Sequence, residues 1–140
     1  AGKSVLMIGA GGAARAIALA LYDASARDIT ICNRTMEKAA AIADSVNGSD
    51  GAQIITAIEH HDGSHVELIV NTTSLGLDAD DILPLPLEPV SDGTLIADII
   101  MTPAETNWLK TAQRRGLPIH HGHHMLDCQV ELIGQFIGAL

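Results

Sequence analysis

Aromatic side chains are nearly missing from this chain: Phe, Tyr and Trp make up 2% of its 140 residues. A core without large rings must be filled by Ala, Ile, Leu and Val, which suits an α/β layer structure with strands buried on both faces. Basic residues are also scarce, 8 against 17 acidic ones, for a formal net charge of −9. Nucleic-acid binding relies on clustered Lys and Arg against phosphates, so that class is disfavoured. A small anionic ligand needs only a few local donors and stays open. The two cysteines, Cys32 and Cys128, make no disulfide scaffold, and a reduced, cytoplasmic protein is expected. No apolar run approaches the roughly 20 residues needed to cross a bilayer. The start, Ala1-Gly2-Lys3, leads straight into an apolar run without a signal-peptide h-region or an initiator Met. The expectation is a fragment cut at a domain boundary.

What is present suffices for one buried core. The hydrophobic fraction is 47% and the charged fraction 18%, so residues 1–140 are expected to form one domain rather than a disordered segment. Ser4-Val5-Leu6-Met7-Ile8 reads as a buried parallel strand ending on Gly9. Residues 13–22 are rich in Ala and Leu and predict a helix. Further strands are predicted at residues 29–32, 53–55, 68–70, 94–97 and 117–120. Further helices are predicted at residues 36–46, from Pro103 to about Arg115, and at residues 125–139. Residues 78–92, with Pro84, Pro86 and Pro89, read as a surface loop. Alternating strands and helices imply a three-layer, doubly wound parallel sheet with strand order 3-2-1-4-5-6.

Two stretches carry chemistry. Gly9-Ala10-Gly11-Gly12-Ala13-Ala14 matches G-x-G-x-x-G/A between a strand and a helix. Gly9 allows the tight turn, Gly11 lets the backbone approach a pyrophosphate, and Ala14 permits close helix–strand packing. The helix N-terminus then offers unpaired N–H groups to phosphate. The second strand ends in Asn33-Arg34-Thr35, with Lys38 one turn on, where NAD-binding domains place an acid for the ribose 2′-hydroxyl. A carboxylate would repel a 2′-phosphate, whereas Arg, Thr and Lys can bind one. Arg34 can also stack on adenine. NADP is therefore expected over NAD, and the missing acid argues against a methyltransferase.

Together these residues resemble the shikimate dehydrogenase family, including its shikimate/quinate dehydrogenase-like members. The glycine loop and Asn33-Arg34-Thr35 with Lys38 are similar to its glycine loop and N-R-T-x-x-[RK] motif. Val70-Asn71-Thr72-Thr73-Ser74-Leu75-Gly76-Leu77 resembles I-N-A-T-x-x-G-M. Asp98, Pro103, Thr106 and Leu109 resemble D-x-x-Y-x-P-x-x-T-x-L-L, and the stretch from Gly122 to Gln129 resembles G-x-x-M-L-x-x-Q. Glutamyl-tRNA reductases share the first two motifs but not the last two. The resemblance implies NADP-dependent, reversible reduction of 3-dehydroshikimate to shikimate, a step towards aromatic amino acids. It implies that Gly9, Ala10, Gly11, Gly12 and Ala13 hold the pyrophosphate, and that Asn33, Arg34, Thr35 and Lys38 surround the 2′-phosphate. Thr72, Thr73, Ser74, Ile99 and Gly122 would lie along the cofactor, and Gln129 would bond a substrate hydroxyl. The family's catalytic Lys and Asp belong to an N-terminal domain, so no catalytic residue is assigned in this chain.

Two departures stand out. Met101 occupies the place of a Tyr near the substrate, and His121 that of an Asp before the glycine. Loss of polar groups in such a site shifts specificity, because a polyol's unpaired groups are penalised. A paralogue acting on quinate or a related cyclic hydroxy acid is the alternative, and a non-catalytic NADP-binding module a further one. His120, His121, His123 and His124 flank Gly122 in a loop that does not favour convergence on a metal, so no metal is expected. His60 and His61 read as solvated loop residues, and Cys32 as core packing rather than a nucleophile.

Overall fold

A computed structural model describes residues 2–47, 54–76, 78, 80–100 and 105–121. Six strands and three helices follow in the order β1 Ser4–Ile8, α1 Gly12–Asp23, β2 Asp28–Cys32, α2 Met36–Val46, β3 Ile55–Ile58, β4 Leu68–Asn71, β5 Leu95–Asp98, α3 Asn107–Arg114 and β6 Ile119–His120. The strands form one sheet in the order β3-β2-β1-β4-β5-β6, and every pair is parallel. This is the doubly wound order expected from the sequence.

Strand period and helix period together build the two cores. Along β1, Val5 and Met7 face one cluster while Leu6 and Ile8 face the other. β4 and β5 divide in the same way, with Leu68, Val70, Leu95 and Ala97 on the first side and Ile69 and Ile96 on the second. Helices α1 and α2 cover the first side with identical spacing: Ala14, Ile17, Ala18 and Leu21, then Ala39, Ile42, Ala43 and Val46. Half of these i, i+3, i+4, i+7 stripe residues are Ala, so the helices can lie close to the sheet. The second side is covered by α3 and by Leu85, Leu87 and Val90 of the long loop. Trp108 is 1% exposed and ties the two together, its indole N–H donating to the Leu85 carbonyl at 2.9 Å. The Arg115 guanidinium pins the same loop through the Leu87 and Val90 carbonyls.

Some boundaries differ from the sequence expectation. Strand β3 starts two residues later than expected, at Ile55, where Asn47 at the end of α2 exchanges two hydrogen bonds with the Ile55 backbone. Helix α3 starts at Asn107, because the Thr106 hydroxyl caps it by accepting from Leu109 N–H at 3.3 Å. Pro103, the expected start, lies outside the described residues, as does the expected last helix at residues 125–139. Strand β6 has two residues rather than four, since the Leu117 N–H donates to the Ala112 carbonyl at the end of α3 at 3.0 Å. No helix among the described residues is long and apolar enough to cross a membrane.

Candidate functional site

The direction of winding reverses between β1 and β4, and ligands of open parallel sheets bind at that switch point, beyond the strand C-termini. The residues there are tightly tied. Ile8 pairs with Cys32 on one side and Asn71 on the other. Gly9 N–H donates to the Cys32 carbonyl at 2.9 Å, and the Ile8 carbonyl accepts from both Thr72 N–H at 2.8 Å and the Thr72 hydroxyl at 2.7 Å. Gly9 has φ +105°, and a Cβ on it would stand 2.6 Å from Thr72 Oγ1 and 2.9 Å from Thr73 Cγ2. Only glycine fits there. Gly11 and Gly12 are different: a Cβ on either would meet nothing within 4 Å. Their bareness leaves open space over the N-terminus of α1, where unpaired N–H groups and the helix dipole favour an anion.

Two grooves meet at this glycine turn. The larger, ≈ 460 Å³, runs from Ile8 and Gly9 past Cys32, Asn33 and Arg34 to Glu59, His60 and His61, with Thr73, Leu75 and residues 82–85 opposite. The smaller, ≈ 360 Å³, lies between Ala10, Gly11, Gly12 and Arg15 of the turn and α1, and Lys38, Ala41 and Ile42 of α2. Arg34 therefore lines one groove and Lys38 the other. The Asn33 amide donates to the Thr35 carbonyl at 2.9 Å, which folds the chain sharply at the tip of β2. Among the described residues, the side chains of Arg34, Thr35, Lys38 and Arg15 have no hydrogen-bond or ion-pair partner, and all four are exposed. A further hollow of ≈ 340 Å³ around Lys3, His65, Glu67 and Gly93 sits at the opposite, N-terminal edge of the strands.

A buried polar network props the inner wall. Asn71 and Asp98 are register partners at the ends of β4 and β5, and both are fully buried. Asp98 accepts from Asn71 Nδ2 at 3.2 Å, Ile100 N–H at 3.0 Å and the Thr106 hydroxyl at 2.9 Å. Asn71 in turn accepts from the Thr73 N–H at 3.0 Å and the Thr73 hydroxyl at 2.6 Å. Burial pushes the Asp98 carboxyl above the usual carboxylate range, and the hydrogen bonds from Ile100, Thr106 and Asn71 oppose this without overcoming it. One carboxylate thus joins the loop after β4, the loop after β5 and the cap of α3.

The structure brings together much of the set picked out in the sequence. Gly9, Ala10, Gly11, Gly12, Asn33, Arg34, Lys38 and Thr73 line the two grooves. Ala13 lies in the first turn of α1, and Thr35 is the residue before α2, its hydroxyl making no capping bond. Thr72 is buried, its hydroxyl committed to Ile8, and Ser74 is exposed just beyond. Ile99 lines neither groove and packs against the α1–α2 side of the core. Met101, Gly122 and Gln129 lie outside the described residues. One expectation needs correction. His61 is a half-buried groove residue whose Nδ1 accepts from Gly63 N–H at 2.8 Å, rather than a solvated loop residue. Cys32 does pack against the α3-side core, but it also lines the larger groove and donates to the Glu59 carbonyl at 3.3 Å. Burial raises its thiol pKa, so it is no ready nucleophile. Arg15, three residues past Gly12, was missed, though its place on the first turn of a phosphate-facing helix was readable.

A six-stranded, doubly wound parallel sheet with a glycine turn at its switch point defines the Rossmann-like class of dinucleotide-binding domains. Within that class, a model of the shikimate / quinate 5-dehydrogenase family matches residues 1–74, and the chain belongs to that family. It is 38% identical over 129 residues to the NADP(+)-dependent shikimate dehydrogenase of Geobacillus kaustophilus, covering 91% of this chain and 47% of that protein. The chain thus spans about half the length of the curated relatives it matches. Among solved structures, a ligand-free 5-ketofructose reductase of a Gluconobacter strain superposes with TM-score 0.81 at 36% identity, over 98% of this chain and 50% of that one. The Thermus thermophilus shikimate 5-dehydrogenase in complex with NADP(H) and shikimate superposes with TM-score 0.75 at 31% identity, over 97% of this chain and 49% of that one.

Proposed function

We propose that the chain is the NADP(H)-binding domain of an oxidoreductase that reversibly reduces 3-dehydroshikimate to shikimate in the cytoplasm. The observation that carries this is the pairing of a bare glycine turn with a basic, acid-free tip of β2. Gly11 and Gly12 leave room for a pyrophosphate over α1, and Arg34, Thr35 and Lys38 stand at the ribose end with unpaired donors. NADP(H), when bound, supplies or accepts the hydride. This chain's own residues bind and orient it: the α1 N-terminus and Arg15 hold phosphate, Arg34 and Lys38 hold the 2′-phosphate from two sides, and Thr73 borders the groove towards the nicotinamide end. Gly122 would border that end as well, with Gln129 and Met101 towards the substrate.

Relatives about twice this length support a second, N-terminal domain of the same protein as the partner and the source of the acid/base group. Calorimetric titration tests the cofactor assignment. NADPH should bind more tightly than NADH, and Arg34→Ala should weaken NADPH while leaving NADH nearly unchanged. Equal affinities would remove it.

A second reading concerns the substrate. The superposition on a 5-ketofructose reductase, with Met101 and His121 in the chain, favours another carbonyl compound, among them the ketone of quinate. Assaying the full-length protein on shikimate, quinate and reducing-sugar ketones with both cofactors separates the two.

A further inference from the structure

The rim of the larger groove holds three side chains to which phosphate and ribose binding give no task, Glu59, His60 and His61, with one Glu59 oxygen 3.7 Å from His60 Nε2. Pairing of Cys32 with Ile58, and donation from Asn33 N–H to the Ile58 carbonyl at 3.1 Å, set the ends of β2 and β3 abreast. Glu59 and His61 therefore leave β3 beside Asn33 and Arg34, and all four line the groove. The His61 side chain is 23% exposed. Gly63 N–H donates to its Nδ1 at 2.8 Å, and a backbone amide can only donate, so Nδ1 holds a lone pair and the ring proton sits on Nε2. The neighbouring Asp62 does not contest this, because its Oδ1 accepts from Ser64 N–H at 2.8 Å and the Ser64 hydroxyl at 2.6 Å. His61 thus offers a groove ligand a donor of settled tautomer, and Glu59, exposed nearby, offers an acceptor. The opposite wall is apolar, with Leu83, Leu85 and Ile82, the last 67% exposed.

A groove with Leu83, Leu85 and Ile82 in its lining, edged by a donor and an acceptor, suits a heterocycle that presents an acceptor beside a donor. We propose that His61 and Glu59 read the Watson–Crick edge of adenine, His61 Nε2–H donating to N1 and the Glu59 carboxylate accepting from the 6-amino group. This rests on the NADP(H) reading above and adds base selectivity to it. Hypoxanthine and guanine present N1–H and O6 on the same edge, so both contacts become like against like.

The test compares NADPH with its deamino analogue, in which hypoxanthine replaces adenine, by equilibrium titration of the wild-type protein. One lost hydrogen bond corresponds to a few-fold to tenfold change in affinity, so two mismatched contacts should weaken the analogue about tenfold or more. His61→Phe should weaken NADPH and bring the ratio of the two affinities towards one. Nitrogen-15 NMR of the unsubstituted protein should find Nε2 protonated and Nδ1 bare in His61. Equal wild-type affinity for both nucleotides, or a proton on Nδ1, overturns the proposal and leaves NADP(H) binding intact. Binding of neither nucleotide overturns the underlying cofactor reading instead.

Discussion

The two kinds of glycine in the β1–α1 turn should separate folding from binding. Gly9→Ala forces a residue with a Cβ to φ +105° and drives that atom to 2.6 Å from Thr72 Oγ1. The backbone conformation alone costs about 1–2 kcal/mol for a non-glycine residue. Displacing the Thr72 hydroxyl breaks its 2.7 Å bond to the Ile8 carbonyl inside the core. An unsatisfied buried polar group adds about 1–3 kcal/mol. The total, about 2–5 kcal/mol, is a large share of a typical stability of about 5–15 kcal/mol. At about 3–4 °C per kcal/mol for a domain of this size, Tm should fall by about 6–20 °C. Gly11→Ala is the contrast. Gly11 has φ −88° and ψ −165°, ordinary extended backbone, and its added methyl meets nothing within 4 Å. Its Tm should stay within about 2–3 °C of wild type, since the residue serves as the N-cap of α1 and Ala is a poorer cap than Gly by a few tenths of a kcal/mol or more. Its methyl would nevertheless stand in the approach of the proposed pyrophosphate, so NADPH affinity should fall at least tenfold. Thermal unfolding with and without NADPH reads both effects. A Gly11→Ala protein as unstable as Gly9→Ala, or one binding NADPH like wild type, would refute this division of labour.

Three further outcomes are expected. Trp108→Phe removes the indole donor from the buried Leu85 carbonyl and should cost about 1–3 kcal/mol in urea unfolding, loosening the wall at residues 82–85; an unchanged midpoint would show that bond to be immaterial. Asp98 has its carboxyl pKa raised by burial, so the folded state holds the proton more tightly than the unfolded state. Its contribution is most favourable below the ordinary carboxylate value of 3.8 and declines as pH rises through the higher folded value. The stability of wild type minus that of Asp98→Asn should accordingly fall with rising pH across that window, and a rise of that quantity with pH would contradict the assignment. If the acid/base group lies in a further domain as proposed, the isolated 140-residue chain should bind NADPH yet not oxidise shikimate, because proton transfer needs a positioned acid or base; NADPH formation from shikimate by this chain alone would place the catalytic groups here.

Period-2 and period-3.6 patterns made most of the elements readable, because each strand and helix had one hydrophobic solution. Val5 and Met7 against Leu6 and Ile8, and the Ala14, Ile17, Ala18, Leu21 stripe, leave little choice of face. Element ends were less readable, since caps depend on neighbours: Thr106 starts α3 through Leu109 while also holding Asp98. Residues 78–92 read as a surface loop, yet Leu85, Leu87 and Val90 form a core wall because Trp108 and Arg115 fasten their backbone. No local pattern announces such a contact.

The sequence by itself determined the doubly wound sheet, the glycine turn and the acid-free basic tip of β2, since each is encoded within a few neighbouring residues. Only the tertiary structure decided that Arg34 and Lys38 line different grooves, that Asn71 and Asp98 meet as buried partners, and that His61 shares a groove with Arg34. Those juxtapositions come from parallel register, which sets Cys32 against Ile58 and Asn71 against Asp98 across long stretches of chain. Register is a property of the whole sheet, fixed by which faces must be buried together.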